Sequence, residues 1–165
     1  MKTLYLARHA KSSWKYPNLD DFERPLNKRG RKNALFMGEI LNKLKVAPDL
    51  VISSPANRAA MTARIIAYAI NYPLEKIQYR ETIYSSGENV LIHFIGQIND
   101  AAKEVMLIGH NPGFTDLANY MSDQRISNIP TCGVFCVGFN ISSWEEIGEH
   151  RGKLKFFEFP KKFAS

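Results

Sequence analysis

An arginine and a histidine, Arg8 and His9, follow the first apolar segment of the chain. That segment, Thr-Leu-Tyr-Leu-Ala at residues 3–7, has the composition of a short buried strand. Imidazole is a nucleophile in covalent catalysis, and guanidinium is the side-chain group that best matches phosphate oxygens. Because open α/β sheets bind ligands at the carboxyl ends of their strands, Arg8 and His9 are candidates for phosphoryl chemistry. The simpler alternative is that they are ordinary residues at a strand end.

A second group of polar residues follows the apolar segment 50–53. The pair Ser54-Pro55 predicts an N-cap followed by proline in the first helical position. Arg58 would then lie one turn into the helix, where free backbone N–H groups and the helix dipole favour an anion. Taken alone, Arg58 is more simply explained as a charged side chain in solvent.

A third group, Gly109-His110-Asn111, follows the apolar segment 104–108. The simpler explanation of His110 is that it caps a turn before Pro112. In a parallel sheet, however, the ends of all three segments share one edge, so two histidines and two arginines would meet at one site. A cluster of uncompensated positive charge reduces stability and favours a bound anion.

The order of predicted elements indicates the fold that positions these groups. Strands alternate with helices, which is typical of a mostly parallel sheet with helices on both faces, and a hairpin at the end adds antiparallel strands. We therefore predict an α/β three-layer sandwich formed by a single domain, residues 1–165. Hydrophobic periodicity predicts strands at 3–8, 49–53, 76–80, 104–108, 133–139 and 153–159, and helices at 28–45, 56–70, 87–102 and 113–121.

The composition of the 165-residue chain is that of a globular protein, with 45% hydrophobic and 23% charged residues. Neither a membrane span nor a signal peptide is predicted, so we expect a cytoplasmic protein with no membrane partner. The net charge of +6 indicates affinity for anions. The densest basic clusters, residues 28–32 and 161–162, carry no nucleic-acid-binding motif, so no nucleic-acid partner is expected. The sequence does not indicate an oligomeric state.

The two cysteines, Cys132 and Cys136, lie four residues apart in an apolar segment. In a strand this spacing is too wide for a disulfide, and no second pair of ligands completes a zinc site. We therefore predict two buried structural thiols.

Taken together, these segments resemble the histidine phosphatase superfamily, also called phosphoglycerate mutase-like. The matching motifs are Arg-His-Ala at 8–10, the Ser-Ser-Pro segment at 53–63 and the Gly-His-Asn-Pro turn at 109–112. The first motif has alanine at position 10 where the superfamily usually has glycine. The segment 21–30, which contains Arg-Pro-Leu, resembles the Arg-Pro-Leu stretch of the superfamily and is most similar to that of the short SixA-type phosphohistidine phosphatases. The resemblance implies the three-layer phosphoglycerate mutase-like fold.

The resemblance also implies a role for each candidate residue. His9 is implied to be the nucleophile that becomes phosphohistidine, with Arg8 and Arg58 holding the phosphoryl group and His110 polarising it. Phosphoryl transfer needs stabilisation of charge on the phosphoryl oxygens, which these cations supply, so we expect neither a metal ion nor another cofactor. The implied phosphate-binding residues are Arg8, Arg24, Arg58, His110 and Asn111.

Many members of the superfamily use a carboxylate after the third strand as a general acid. Glu81 stands near that place and Glu88 is the second candidate, although either is also explained as a solvated side chain. Phosphohistidine needs the acid less, because imidazole is a good leaving group.

The substrate class follows partly from chain length. The short segment between Glu81 and His110 leaves no room for a large helical lid, so we expect a shallow, open cleft. This favours a phosphatase acting on phosphohistidine of a protein, with a small phosphoester such as a sugar or nucleotide phosphate as the alternative substrate. A mutase and a non-catalytic phosphate-binding module are less favoured. The module is less favoured because the expected nucleophile is intact.

Overall fold

A computed structural model describes residues 1–164 of the chain. One six-stranded sheet has helices on both faces, which confirms the predicted α/β architecture. The strands are β1 (Lys2–Arg8), β2 (Leu50–Ser53), β3 (Gln78–Tyr79), β4 (Glu104–Gly109), β5 (Val134–Phe139) and β6 (Gly152–Glu158). The helices are α1 (Lys28–Lys43), α2 (Asn57–Ala69), α3 (Glu88–Gly96) and α4 (Gly113–Met121).

The strand order β3-β2-β4-β1-β5-β6 places the parallel strands together. The pairs β3–β2, β2–β4 and β4–β1 are parallel, whereas β1–β5 and β5–β6 are antiparallel. In this register Arg8 pairs with Gly109, and Ser53 pairs with Ile108. The ends of β1, β2 and β4 are therefore level at one edge of the sheet, as the sequence predicts.

The two faces of the sheet form two separate apolar cores. On β1, Leu4 and Leu6 pack with α3 and α4, whereas Tyr5 and Ala7 pack with α1 and α2. Because both faces of the central strands are covered, the strand ends are anchored by burial on each side.

Cys132 and Cys136 both contribute to the core on the α1–α2 side, and both are free thiols. Burial raises the pKa of each thiol to about 12. The structure therefore agrees with the prediction of buried thiols, although Cys132 precedes the strand rather than lying in it.

The start of α2 corrects one prediction. The helix begins at Asn57, after Ala56 as N-cap, so Ser54 and Pro55 do not form the predicted cap. The Ser54 hydroxyl instead accepts a hydrogen bond from the Ala56 N–H at 3.2 Å and lies 2.8 Å from Nε2 of His110. Ser54 thus combines a local hydrogen bond with a tertiary contact at the site, and the helix starts without a side-chain cap. Helix α3 is also shorter than predicted, ending at Gly96 rather than at residue 102.

Gly30 explains how α1 is fixed beside the residues that follow β1. A Cβ atom at this position would lie 2.1 Å from the backbone carbonyl oxygen of Lys11. The N–H of Asn27 donates to that same oxygen at 3.0 Å, and the Asn27 side chain caps α1 by accepting from the Gly30 N–H at 2.7 Å. The first turn of α1 thus approaches the Lys11 backbone at a distance that only glycine allows.

None of the helices within residues 1–164 combines the length and the apolar character that crossing a membrane requires. The cytoplasmic location stays a prediction.

Candidate active site

His9 lies just beyond β1 with only 8% of its surface exposed. Its Nδ1 atom is 2.7 Å from the carbonyl oxygen of Ala10, which can only accept, so Nδ1 carries the proton. Nε2 then holds the lone pair, and no other residue within 1–164 hydrogen-bonds to it. Burial, reinforced by the positive charges of Arg58 and Arg8, lowers the pKa of His9 to about 4. The ring is therefore neutral near pH 7 and has a nucleophilic nitrogen available.

His110 follows β4, with its ring centroid 5.1 Å from that of His9. Its Nδ1 is 3.5 Å from a guanidinium nitrogen of Arg58, which can only donate, so the proton is on Nε2 and points to the Ser54 hydroxyl. Burial first, then the proximity of His9 and Arg58, lowers the pKa of His110 to about 3. Two neutral imidazoles thus lie side by side at the sheet edge.

Arg58 reaches this edge from the first turn of α2 and is 8% exposed. Its guanidinium donates to the Asp21 carbonyl at 2.7 Å and to the Asp21 carboxylate at 2.9 Å. The α2 backbone is tied to the residue after His9, because Thr62 donates to the Arg58 carbonyl while accepting from the Ala10 N–H. The residue after His9 and the Arg58 backbone are therefore held in fixed relation by buried hydrogen bonds.

Arg8, at the end of β1, and Arg24, which follows the segment 21–23, are the two other arginines predicted for the site. One guanidinium nitrogen of Arg8 donates to the carbonyl of Ile129 at 3.0 Å, while its buried Nε has no partner among the described residues. Arg24 is 8% exposed and donates to the Ser12 hydroxyl at 2.5 Å and to the Asp21 carboxylate at 3.2 Å. The exposed ring of Trp14 covers the Arg24 guanidinium, with 3.3 Å between the ring centroid and Cζ of Arg24.

Asp21 is a residue of the site that the sequence did not single out for a role. Its carboxylate accepts from Arg58 and Arg24, and from the hydroxyl of Tyr84 at 2.8 Å. Burial alone would raise the pKa of Asp21, but the hydrogen bonds from Tyr84 and Arg58 lower it overall. Asp21 is thus an ionised carboxylate on the arginines that are expected to bind phosphate.

Tyr84 completes this side of the site, with its ring centroid 5.4 Å from that of His110. Together with Asp21, Arg58 and His110 it lines a cavity of about 360 Å³. The only sequence signal for Asp21 was its place four residues before Pro25 in the Arg-Pro-Leu motif, and nothing in the sequence pointed to Tyr84.

Of the remaining predicted residues, Asn111 lines this cavity and the two glutamates do not. The amide nitrogen of Asn111 donates to Asn128 and Ile129, and its oxygen accepts from Thr115, so both ends of the amide are used within the protein. Glu81 is exposed and Glu88 is half-buried; neither lines the cavity beside His110. Within residues 1–164 no three His, Cys, Asp or Glu side chains lie together as metal ligands would.

The sequence model of the histidine phosphatase superfamily (branch 1) matches residues 4–82. An uncharacterised protein of Mycobacterium tuberculosis is 31% identical over 165 residues, covering 93% of this chain and 99% of that protein. The chain belongs to the histidine phosphatase superfamily.

Solved structures agree with this assignment. The structure of a protein assigned as the phosphohistidine phosphatase SixA of Agrobacterium tumefaciens superposes with a TM-score of 0.80 and is 26% identical, covering 96% of this chain and 98% of that chain. The protein histidine phosphatase SixA complexed with tungstate has the same fold, with a TM-score of 0.84, 18% identity and coverage of 98% and 99%. The phosphoglycerate mutase-like fold predicted from the motifs is confirmed.

Proposed function

We propose that the protein is a phosphatase that forms a covalent phosphohistidine on His9 and acts on phosphohistidine of a protein. The observation that carries this proposal is the state of His9. It is a neutral imidazole whose Nδ1–H is held by a backbone carbonyl, which leaves Nε2 free to attack, next to the arginines. A nucleophile fixed beside cations is the arrangement that phosphoryl transfer needs.

The reaction then proceeds in two displacements. Nε2 of His9 attacks phosphorus, the bond from phosphorus to the substrate imidazole nitrogen breaks, and that nitrogen takes a proton from solvent. Water then attacks phospho-His9, releasing inorganic phosphate and restoring the neutral imidazole. Arg8, Arg58 and His110 are the groups proposed to stabilise the charge on the phosphoryl oxygens. Because the guanidinium groups of Arg8 and Arg58 supply the positive charge that this stabilisation needs, activity should be retained in EDTA; loss restored by Mg²⁺ would contradict this mechanism.

The choice of phosphohistidine rests on the carboxylates. An alkoxide leaving group needs a proton in the transition state, which a protonated acid must donate. The carboxylate at the site, Asp21, has a lowered pKa, and neither Glu81 nor Glu88 lines the cavity. A site with an ionised carboxylate suits a substrate whose leaving group is imidazole.

A small phosphoester is the second candidate substrate. The 360 Å³ cavity beside His110 could hold the leaving group of such an ester, and the Tyr84 hydroxyl lies at its wall. The two candidates differ in their need for an acid, so their relative rates separate them.

The test compares His9→Ala with His93→Ala, a histidine exposed on α3. Hydrolysis of p-nitrophenyl phosphate and of a phosphohistidine protein should fall at least about 10³-fold in His9→Ala and stay unchanged in His93→Ala. Brief reaction of the wild type with ³²P-labelled substrate should leave an acid-labile, base-stable label that His9→Ala lacks. Full activity in His9→Ala would refute the proposal.

A further inference from the structure

A second cationic cavity, of about 230 Å³, shares Arg8 with the candidate active site. Its other cationic wall residues are Lys11, Arg29 and Lys161. Lys11 lies two residues after His9, and Arg29 is in the first turn of α1. Through Arg8, the cavity therefore adjoins the residues that are proposed to transfer the phosphoryl group.

The fold brings two distant basic clusters of the sequence together at this cavity. Arg29 belongs to the cluster at 28–32, and Lys161 belongs to the single-turn helix Pro160–Phe163 that follows β6. The Phe163 ring packs edge-on against Phe36 of α1, with 5.5 Å between ring centroids, which holds this single-turn helix against α1. Arg29 and Lys161 are not among the residues that the sequence indicates for the site at His9. The fold nevertheless brings them to a cavity that shares Arg8 with that site.

The charge of this cavity is not neutralised by the protein. No Asp or Glu within residues 1–164 lines it, and the buried Nε of Arg8 has no partner there. The arginines on the opposite side of the active site differ, because Arg58 and Arg24 both bond to the Asp21 carboxylate. Cations gathered without a counter-charge repel one another and bind an anion readily.

We propose that this cavity binds a second anionic group of the substrate, a carboxylate or a phosphate, while the phosphoryl group lies at His9. The inference rests on the proposed function, because it assigns specificity to the same site. Acidic side chains flanking the phosphorylated residue of a protein, or an acidic group on a small phosphoester, would each supply that anion.

The variant is Arg29→Glu/Lys161→Glu, which reverses two exposed charges of the cavity and leaves Arg8 intact. The control is Lys43→Glu/Lys103→Glu, which makes the same change in net charge at two exposed residues. Those lie at the end of α1 and before β4, at the opposite edge of the sheet. Thermal unfolding of both variants establishes that they are folded.

Two matched pairs of substrates separate the two sources of the anion. One pair is a phosphohistidine peptide flanked by glutamates and the same peptide flanked by glutamines. The other pair is 3-phosphoglycerate and glycerol 3-phosphate, which differ in one carboxylate. For at least one pair, the ratio of kcat/KM with the second anion to kcat/KM without it should fall about tenfold in Arg29→Glu/Lys161→Glu. The ratio should not change in the control.

An unchanged ratio for both pairs, or an equal fall in the control variant, would overturn the inference. Failure of the proposed function is distinguishable, because it would appear as full activity in His9→Ala or as absence of turnover for every substrate in the wild type. In that case calorimetric titration with 3-phosphoglycerate and with glycerol 3-phosphate tests the cavity alone. The variant should then lose about tenfold in preference for 3-phosphoglycerate, and an unchanged preference would refute the inference.

Discussion

Two sides of the candidate active site differ in how the fold holds them. The strand-end group, Arg8, His9, Arg58 and His110, lies at or shortly after the ends of β1, β2 and β4. Both histidines and Arg58 are less than a tenth exposed. The loop group, Asp21 and Tyr84, lies outside the strands and the four long helices, and the Asp21 side chain is 55% exposed. The first group is anchored by buried backbone, and the second by hydrogen bonds at the surface.

This difference suggests a division of tasks. Groups held rigidly in a buried setting stabilise charge without reorganising during the reaction, which is the largest catalytic effect available to side chains. An exposed carboxylate bound to the arginines can instead give way when an anion arrives. Substitutions in the strand-end group should therefore affect the rate, and those in the loop group should affect anion binding.

The largest expected effect is on the rate. Arg58→Ala and Arg8→Ala should each lower kcat by about 10²-fold or more, the usual scale for loss of one transition-state stabiliser. Arg64→Ala, which removes an exposed arginine further along α2, is the matched control and should leave kcat unchanged. Equal inhibition of the wild type and both variants by vanadate would place Arg8 and Arg58 outside the site.

A smaller effect is expected for Asp21→Asn, with Asp20→Asn as the control. The substitution removes the negative charge that Arg58 and Arg24 bind in the wild type. Binding of vanadate should therefore tighten about tenfold, because no carboxylate opposes the anion. Inhibition constants measured at fixed ionic strength test this. Weaker binding in Asp21→Asn would mean that Asp21 positions the arginines for phosphate instead of opposing it.

The burial of the strand-end group should also appear in stability against pH. The pKa values of His9 and His110 in the folded protein, about 4 and about 3, lie below the ordinary 6.5, so the unfolded chain binds protons first as pH falls. The free energy of unfolding should be highest above pH 6.5. By pH 5 it should drop by about 1–2 kcal/mol for each histidine.

Urea unfolding at pH 7 and pH 5 checks this dependence. His9→Gln and His110→Gln should each lose less stability than the wild type between the two values, because each lacks one such histidine. His93→Gln should lose as much as the wild type. Equal losses in all four proteins would contradict the assignment of buried neutral imidazoles.

The strand-end group could be predicted from the sequence because its geometry follows from a few local rules. Short apolar segments followed by polar residues predict strand ends. Parallel pairing brings those ends to the same edge of the sheet, as the pairing of Arg8 with Gly109 confirms. The sheet architecture and the antiparallel addition of β5 and β6 follow from the same periodicity. The catalytic roles of these residues stay predictions.

The loop group could not be predicted in this way, because its positions depend on contacts between distant parts of the chain. Asp21 is 37 residues from Arg58 and 63 from Tyr84, and the polar segment around it has no periodicity. Ser54 illustrates the same limit, since the local sequence predicts a helix cap there and gives no sign of its contact with His110. Local patterns carry no information about such pairings.

The smallest expected effect belongs to Glu81, the acid suggested by the family resemblance. Its side chain is exposed and does not line the cavity beside His110, so Glu81→Gln should change kcat/KM by less than about twofold for both p-nitrophenyl phosphate and a phosphohistidine protein. Glu75→Gln, another exposed glutamate, is the control. A selective loss with a phosphate ester of an alkyl alcohol would restore Glu81 as a proton donor, because only an alkoxide needs that proton to leave. In that case binding of the ester would have to move the segment Glu81–Ile83 toward His110. The contrast between a rigid catalytic side and an adjustable binding side would then no longer hold.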